Sequence, residues 1–132
     1  MKELKEETST QKLYWDTENE IVIGELFADL TTEALAKENI DAQERVRDSL
    51  SKEKTRVLVD MTTVNAISKE ARDYFANERT ASIQRATALL IGSPVSRVIG
   101  NFFLGLNKPL SPTKLFTDQE QAIKWLHTFG ND

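Results

Sequence analysis

Apolar side chains recur along this chain with two different spacings, which divide it into strands and helices. Two short runs rich in β-branched and aromatic residues, 13–16 and 20–27, flank a polar segment that ends in Asn19, and this pattern predicts an antiparallel hairpin. The runs 56–61 and 86–91 are apolar at almost every position, which is typical of strands covered on both faces of a sheet. Because a segment of helical length joins them, we expect these two strands to be adjacent and parallel.

Helical spacing predicts four helices that cover the sheet. Thr31 or Thr32 caps the first, Ser68 caps the second, and Gly92-Ser93-Pro94 supplies a turn, a cap and a first helical residue for the third. The segment 117–120 reads as a capping box that opens the last helix. The predicted inner stripes are Leu35, Asn39, Ala42, Val46 and Leu50; Ala71, Tyr74 and Phe75; Val95, Val98, Ile99, Phe102 and Leu106; and Ala122, Ile123, Leu126 and Phe129.

With a short extended segment at 113–116, the element order becomes ββαβαβαβα. Strands that alternate with helices indicate parallel pairing after the hairpin, so the fold class is α/β with a mixed sheet. The polar residues 1–11 lack periodicity and are predicted to be a flexible tail. A single domain is expected over residues 12–130.

Composition narrows the class of function. The 132 residues carry 17 Lys and Arg against 21 Asp and Glu, so the basic field that nucleic acids require is missing and no nucleic-acid partner is expected. The absence of cysteine excludes disulfides, thiolate metal sites and thiol nucleophiles. No apolar run approaches the roughly 20 residues of a membrane span. The charged start of the chain does not resemble a signal peptide, which favours a cytoplasmic location.

A family resemblance is carried by two segments. The first is the central strand, loop and helix start in RVLVDMTTVNAISKEARDYF, and the second is GSPVSRVIGNFFLGLNKP followed by TKLF. Together with the topology, they resemble the sulfate transporter and anti-sigma factor antagonist (STAS) domain, and in particular the bacterial proteins called SpoIIAA-like. The resemblance implies a regulatory or protein-interaction module that is not an enzyme. The architecture is also similar to CRAL-TRIO lipid-transfer domains.

The resemblance implies a regulatory loop after the central strand. In anti-sigma factor antagonists, a serine at the corresponding helix start is phosphorylated to switch partner binding. Here that position falls at or near Lys69 or Glu70, so the usual phosphoacceptor is missing. Ser68 lies close, and a helix cap is the favoured interpretation over a phosphorylation site. The candidate regulatory loop consists of Asp60, Thr62, Thr63, Asn65, Ser68, Lys69 and Glu70.

Few residues in the sequence are suited to catalysis or to metal binding. Asp60 could be a general base, a cation ligand or an acceptor for loop N–H groups, and its polar neighbours favour the last. Asp60 with Glu70 is too small a set of ligands for a metal site, so no metal and no cofactor are predicted. His127 is expected on the outward face of the last helix, in a surface role. No catalytic group of residues is predicted.

The third helix carries two candidate surfaces. Leu104 is predicted to project opposite the inner stripe, with Phe103 at the border, and Arg97 and Asn101 lie near it. These four residues form a candidate surface for a protein partner, self-association or an apolar ligand. Ser93, Ser96 and Arg97 at the helix start could hold an anion, although capping is the favoured role of the serines.

Three classes of function remain. An interaction module is preferred, acting through the edge formed by the 60–70 loop and the neighbouring helices. A carrier of a small apolar or lipid-like ligand is the alternative, and its signature would be a closed apolar cavity between helices and sheet. An enzyme ranks last, because it would require Asp60, Lys69 and Glu70 to converge in a cleft.

Overall fold

A computed structural model of the protein describes residues 1–27 and 29–130. The strands are β1 (Lys2–Glu7), β2 (Gln11–Asp16), β3 (Ile21–Leu26), β4 (Leu30–Thr31), β5 (Thr55–Asp60), β6 (Ala66–Ile67), β7 (Gln84–Leu90) and β8 (Thr113–Phe116). The helices are α1 (Glu33–Ser49), α2 (Lys69–Phe75), α3 (Glu78–Ile83), α4 (Pro94–Phe102) and α5 (Gln119–Leu126). A π-helical segment, Phe103–Asn107, continues α4.

The main sheet has the strand order β1-β2-β3-β5-β7-β8. The first three strands are antiparallel, and β3, β5, β7 and β8 are parallel neighbours. A small parallel sheet of β4 and β6 lies apart from it. The predicted hairpin is therefore confirmed, and so is the parallel pairing of the two apolar strands, in which Val57 lies opposite Thr87. The fold class, a mixed α/β sheet covered by helices, is confirmed as well.

The prediction of a flexible tail over residues 1–11 is wrong. Residues 2–7 form the edge strand β1, which pairs with β2. This strand buries little apolar surface, and Leu4 is exposed. Backbone pairing holds it, together with two ion pairs, Lys2 to Glu25 at 3.1 Å and Glu6 to Arg45 at 2.9 Å. Hydrophobic periodicity could not indicate a strand that is stabilised in this way.

The helix starts follow the sequence closely. Oxygens of Thr32, Ser68 and Ser93 accept hydrogen bonds from the first turns of α1, α2 and α4. Asp118, inside the predicted capping box, caps α5. The second predicted helix is divided in two, because the side chain of Asn77 accepts a hydrogen bond from Thr80 N and starts α3.

The two faces of the main sheet are covered differently. On one face, α5 packs on a cluster formed by Ile21, Ile23, Leu58, Ala86, Ala88, Ala122 and Leu126. The other face supports α1 through Leu13, Val22, Ala42, Val46 and Val57, and it supports α4 through a cluster that includes Leu26, Met61, Leu89, Ile99 and Phe103. We call the first the α5 face and the second the cavity face, for the cavity described below.

The predicted inner stripe of α4 is wrong at four of its five positions, and only Ile99 packs on the core. Val95, Val98 and Phe102 are about half exposed, and Leu106 is more exposed still. The packed side carries the small residues Ser96 and Gly100 instead, both buried. A methyl group added to Gly100 would lie 2.9 Å from Cδ2 of Leu115, so the Leu115 side chain would have to shift to admit a larger residue. The small residues thus let this side of α4 lie close to the sheet, next to the packed Ile99.

Candidate functional site

The candidate regulatory loop lies at the carboxyl end of the parallel strands, where the sequence predicts it. Thr62 donates two hydrogen bonds to Oδ1 of Asp60, from its N–H at 3.0 Å and from its hydroxyl at 2.7 Å. Thr63 donates to the carbonyl of Leu26, and Asn65 donates to Asp29. Asp60, Thr62, Thr63 and Asn65 therefore have hydrogen bonds that hold the loop and connect it to the chain after β3.

The end of this loop is the start of α2. The N–H of Ala71 donates to Oγ of Ser68 at 3.1 Å, which is the capping interaction expected from the sequence. Lys69 forms an exposed ion pair with Asp73 at 2.8 Å, and this hydrogen bond raises the pKa of Lys69. Glu70 is exposed. The partners of Lys69 and Asp60 are different residues, so nothing in these contacts brings the candidate catalytic groups together.

The start of α4 is closed by its own serines. Oγ of Ser93 accepts from the N–H of Ser96, and Oγ of Ser96 accepts from the N–H groups of Gly92 and Ser93. Pro94 has no N–H to offer. Three N–H groups at this helix start are therefore occupied by the serines, which favours the capping role of Ser93 and Ser96 over the anion site with Arg97.

The last residue that the sequence offers for chemistry is His127. His127 is exposed, as predicted for the last helix, and its Nε2 lies 2.8 Å from the carbonyl oxygen of Asn19. The described residues contain no group of three His, Cys, Asp or Glu side chains placed to hold a metal ion. Within the same residues, no helix combines the length and apolar character that crossing a membrane requires.

The outer side of α4 is the most apolar exposed surface on a described helix. Its exposed fractions are 47% for Val95, 51% for Val98, 49% for Phe102 and 71% for Leu106. Positions i, i+3, i+7 and i+11 share one helix face, so these side chains form a continuous row that we call the α4 stripe. The candidate interaction surface predicted from sequence needs correction here. Arg97 and Asn101 are exposed, but Phe103 and Leu104 are half-buried, and Phe103 packs on the core.

A cavity lies between the sheet and the helices on the cavity face. The space between its atoms measures about 610 Å³, part of it open to solvent, and the centre of a water molecule can move through about 60 Å³ of it. Strands β2, β3, β5, β7 and β8 form one wall, while α1, α2 and α4 form the other. The lining is mostly apolar: Leu26, Val59, Met61, Ile67, Phe75, Leu89, Ile99 and Phe103.

Buried amides occupy one part of the cavity wall. Gln84 donates to Gln43 and accepts from the hydroxyl of Thr87, at 2.9 and 2.7 Å. Gln11 also lines the cavity and is 2% exposed, yet its Oε1 has no hydrogen-bond partner among the described residues. Such a buried acceptor costs about 1 to 3 kcal/mol when it is left without a donor.

One charged side chain completes the lining. Arg72 in α2 donates through Nη1 to the carbonyl of Ile67 at 2.7 Å, and through Nε to Oδ1 of Asn107 at 3.1 Å. Asn107 in turn donates to Asp73 at 2.6 Å, so these side chains connect α2 to the π-helical segment. The hydrogen bonds from Lys69 and Asn107 hold the pKa of Asp73 below its ordinary value.

Sequence reasoning missed the polar residues of this cavity. The helical pattern that begins at Ser68 predicts that Arg72 stays in water, and Gln11 falls within the predicted flexible tail. A signal existed for Gln11, because it stands two residues before the buried Leu13 and so shares its face of the strand. Gln84 had no such signal, since Arg85 is an extra residue between Gln84 and Ala86, which lie opposite the consecutive Thr55 and Arg56.

Comparisons with known proteins support the fold and leave the function open. A family model described as a domain of unknown function, DUF7793, matches residues 14–130. The chain is similar to a crystal structure of an uncharacterised DUF3478-family protein with a SpoIIAA-like fold from Shewanella loihica PV-4. The identity is 12%, 96% of this chain and 95% of that chain are covered, and the TM-score is 0.62. The resemblance to SpoIIAA-like proteins is thus confirmed at the level of fold.

A second solved structure, a protein of unknown function from Arthrobacter sp. FB24, is 33% identical over 87% of this chain and 97% of that chain, with a TM-score of 0.30. No curated protein matches the sequence. The family model covers most of the chain, from the second strand to residue 130, four residues after the last helix. The chain belongs to the DUF7793 family of domains of unknown function, and it has a SpoIIAA-like fold.

Proposed function

We propose that this protein is a non-enzymatic regulatory module that binds another protein through the α4 stripe. The observation that carries the proposal is the row of four exposed apolar side chains on one face of a helix whose other face is packed. A row of this length is the surface by which an amphipathic helix enters an apolar groove. Helix α4 also lies beside β6, which pairs with β4, where Leu30 is exposed as well.

The charges around the stripe indicate the chemistry of the partner. Between Glu78 and Asp118 the chain contains no acidic residue, and Arg97 and Lys108 are exposed near the ends of the stripe. The partner we propose therefore has an apolar groove with acidic residues along its rim. A membrane surface fits less well, because lipid-binding segments carry clusters of about four to eight basic residues. Self-association through the same stripe would bring two Arg97 side chains into the same contact.

A photo-crosslinking residue at position 102, used in the native host, would capture this partner, and binding would then be measured with the purified pair. Phe102→Glu should weaken binding at least tenfold, because it places a charge in a desolvated contact. Leu4→Glu is the matched control: Leu4 is 52% exposed and lies on edge strand β1. Equal affinity of the two variants would contradict the proposal, as would binding to anionic vesicles in place of a protein.

The regulatory part of the proposal excludes a phosphoserine switch at residues 67–71. Ser68 is occupied as the cap of α2, and Lys69 and Glu70 follow where SpoIIAA-like regulators have their acceptor serine. Phosphopeptide mapping after incubation with host lysate and ATP should find no phosphate on this segment. Stoichiometric phosphate on Ser68 would contradict this part.

A carrier of a small apolar ligand is the second candidate, and the cavity is the observation that favours it. Its lining is mostly apolar, but the space of about 60 Å³ that a water centre can occupy is well below the range of about 300 to 1,000 Å³ that ligand pockets occupy. Because only a few waters fit in its present form, a larger ligand would have to move α2 or α4 outward. Heteronuclear NMR with 1-decanol as the probe should shift the signals of Leu89 and Phe103. Unchanged spectra at millimolar 1-decanol would contradict this candidate.

A further inference from the structure

The cavity wall carries a positive charge. Arg72 is the single charged residue among those that line the cavity, and every other lining residue is apolar or a neutral amide or hydroxyl. A cation in an apolar wall raises the potential of the whole cavity, because the surroundings screen it poorly. This cavity therefore favours a ligand that carries one negative charge.

Arg72 has no anion of its own. Its two hydrogen bonds go to neutral oxygens, those of Ile67 and Asn107, and it forms no ion pair within residues 1–27 and 29–130. The neighbouring carboxylate, Asp73, receives its hydrogen bonds from Lys69 and Asn107 and acts on Arg72 only through space. Nη2 of Arg72 makes no hydrogen bond to a described residue. The guanidinium therefore retains a charged donor for one anionic group.

The rest of the cavity matches an apolar body. Phe75 from α2, Phe103 from the π-helical segment and Leu89 from the sheet contribute side chains that can contact a hydrocarbon chain. The buried Gln11, whose Oε1 lacks a donor, is a further unsatisfied polar group in the same wall. A π-helical segment in the wall is consistent with a ligand site, because such segments often occur at functional sites.

We propose that the cavity binds a small molecule with an apolar body and one carboxylate, which Arg72 holds through its guanidinium group. Guanidinium and carboxylate form charge-assisted hydrogen bonds, commonly two in parallel, and these set the orientation of the ligand. This inference rests on the carrier function, the second candidate above, and adds the chemical class of the ligand.

The test compares decanoate and 1-decanol as probes at pH 8, where decanoate is ionised, by isothermal titration calorimetry on the full chain. Decanoate should bind the wild type at least tenfold more tightly than 1-decanol. Arg72→Gln should weaken decanoate at least tenfold and change the affinity for 1-decanol less than threefold. Lys124→Gln, which removes one positive charge from the exposed side of α5 on the other face of the sheet, should leave both affinities unchanged.

Circular dichroism tests whether each variant folds. If Arg72→Gln does not fold, the affinities of the wild type for decanoate and 1-decanol still test the inference. NMR shifts caused by decanoate should map to Leu89 and Phe103. Shifts confined to Val98 and Phe102 would overturn the inference by placing the ligand on the α4 stripe. Binding of 1-decanol equal to that of decanoate would overturn the role of Arg72 and leave the carrier function standing, whereas no binding of either probe would overturn both.

Discussion

The two faces of the main sheet are built from different kinds of residues. On the α5 face, alanines and large aliphatic residues pack together, and Phe116, Trp125 and Phe129 extend the cluster with ring centroids 5.6 and 4.9 Å apart. Beside Phe129, the buried Arg56 donates to the carbonyl oxygens of Glu20 and Phe129. On the cavity face, Gln11, Gln43 and Gln84 are buried beside unfilled space. Unfilled space and buried amides both reduce stability, and the cavity face combines them, as expected of the face that we propose binds a ligand.

The largest expected effect tests whether the α5 face is the more tightly packed. Leu126→Ala, at a fully buried position of α5, should lower the free energy of unfolding by about 3 kcal/mol, because it opens a cavity in a close-packed cluster. Leu89→Ala, which enlarges the existing cavity, should cost about 1 kcal/mol less, since Leu89 has fewer neighbours to lose. Urea unfolding followed by circular dichroism measures both. An equal or larger loss for Leu89→Ala would remove the contrast between the faces.

The next effect concerns the two sides of α4. Phe103→Ala should lower the free energy of unfolding by about 2 kcal/mol, because Phe103 packs on the cluster around Met61 and Leu89. Phe102→Ala should change it by no more than about 0.5 kcal/mol, as expected for an exposed residue. The same unfolding experiment compares these adjacent phenylalanines. If Phe102→Ala were the more destabilising, the helix would face the sheet with the stripe that the sequence predicts.

A third comparison separates satisfied from unsatisfied amides within the cavity face. Gln84→Leu should destabilise by about 1 to 3 kcal/mol, because Gln43 and Thr87 would each lose a buried partner. Gln11→Leu should be neutral or stabilising, since its Oε1 has no partner to lose. Thermal unfolding of the two variants measures the difference. A clear loss of stability in Gln11→Leu would show that this amide is satisfied and weaken its assignment to a ligand site.

The smallest effect tests whether ion pairs hold the helices over the cavity face. Asp41 of α1 pairs with Lys37 at 3.0 Å and with Arg79 of α3 at 2.6 Å. The hydrogen bond from Lys37, followed by that from Arg79, lowers the pKa of Asp41, although burial opposes the shift. A lowered pKa stabilises the fold at pH values above the ordinary value near 3.8, and this stabilisation is lost as the pH falls through the lowered value.

Asp41→Asn should therefore reduce stability at pH 7 by less than about 1 kcal/mol and make no difference near pH 2. Urea unfolding at the two pH values measures this change. Glu120→Gln on α5 is the control, because Glu120 is exposed and forms no ion pair in the described part of the chain. A loss at pH 2 as large as that at pH 7 would mean that Asp41 acts through packing rather than charge.

Local patterns in the sequence determined most elements of the fold. The central strands follow from apolar runs, and the helix starts follow from Thr32, Ser68 and Ser93, because a cap depends only on residues within one turn. The capping roles of Ser68 and Ser93 also indicated that neither serine is a free reactive group. The fold resemblance required only the order of these elements.

Tertiary structure alone decided the features that concern function. Hydrophobicity assigns Val95, Val98 and Phe102 to the core, but the side of α4 that packs on the sheet carries Ser96, Ile99 and Gly100. An extra residue in β7 places Gln84 in the cavity wall, and α2 brings Arg72 to the same wall. Hydrophobic periodicity describes one segment at a time, whereas an exposed stripe and a cavity depend on the distance between segments.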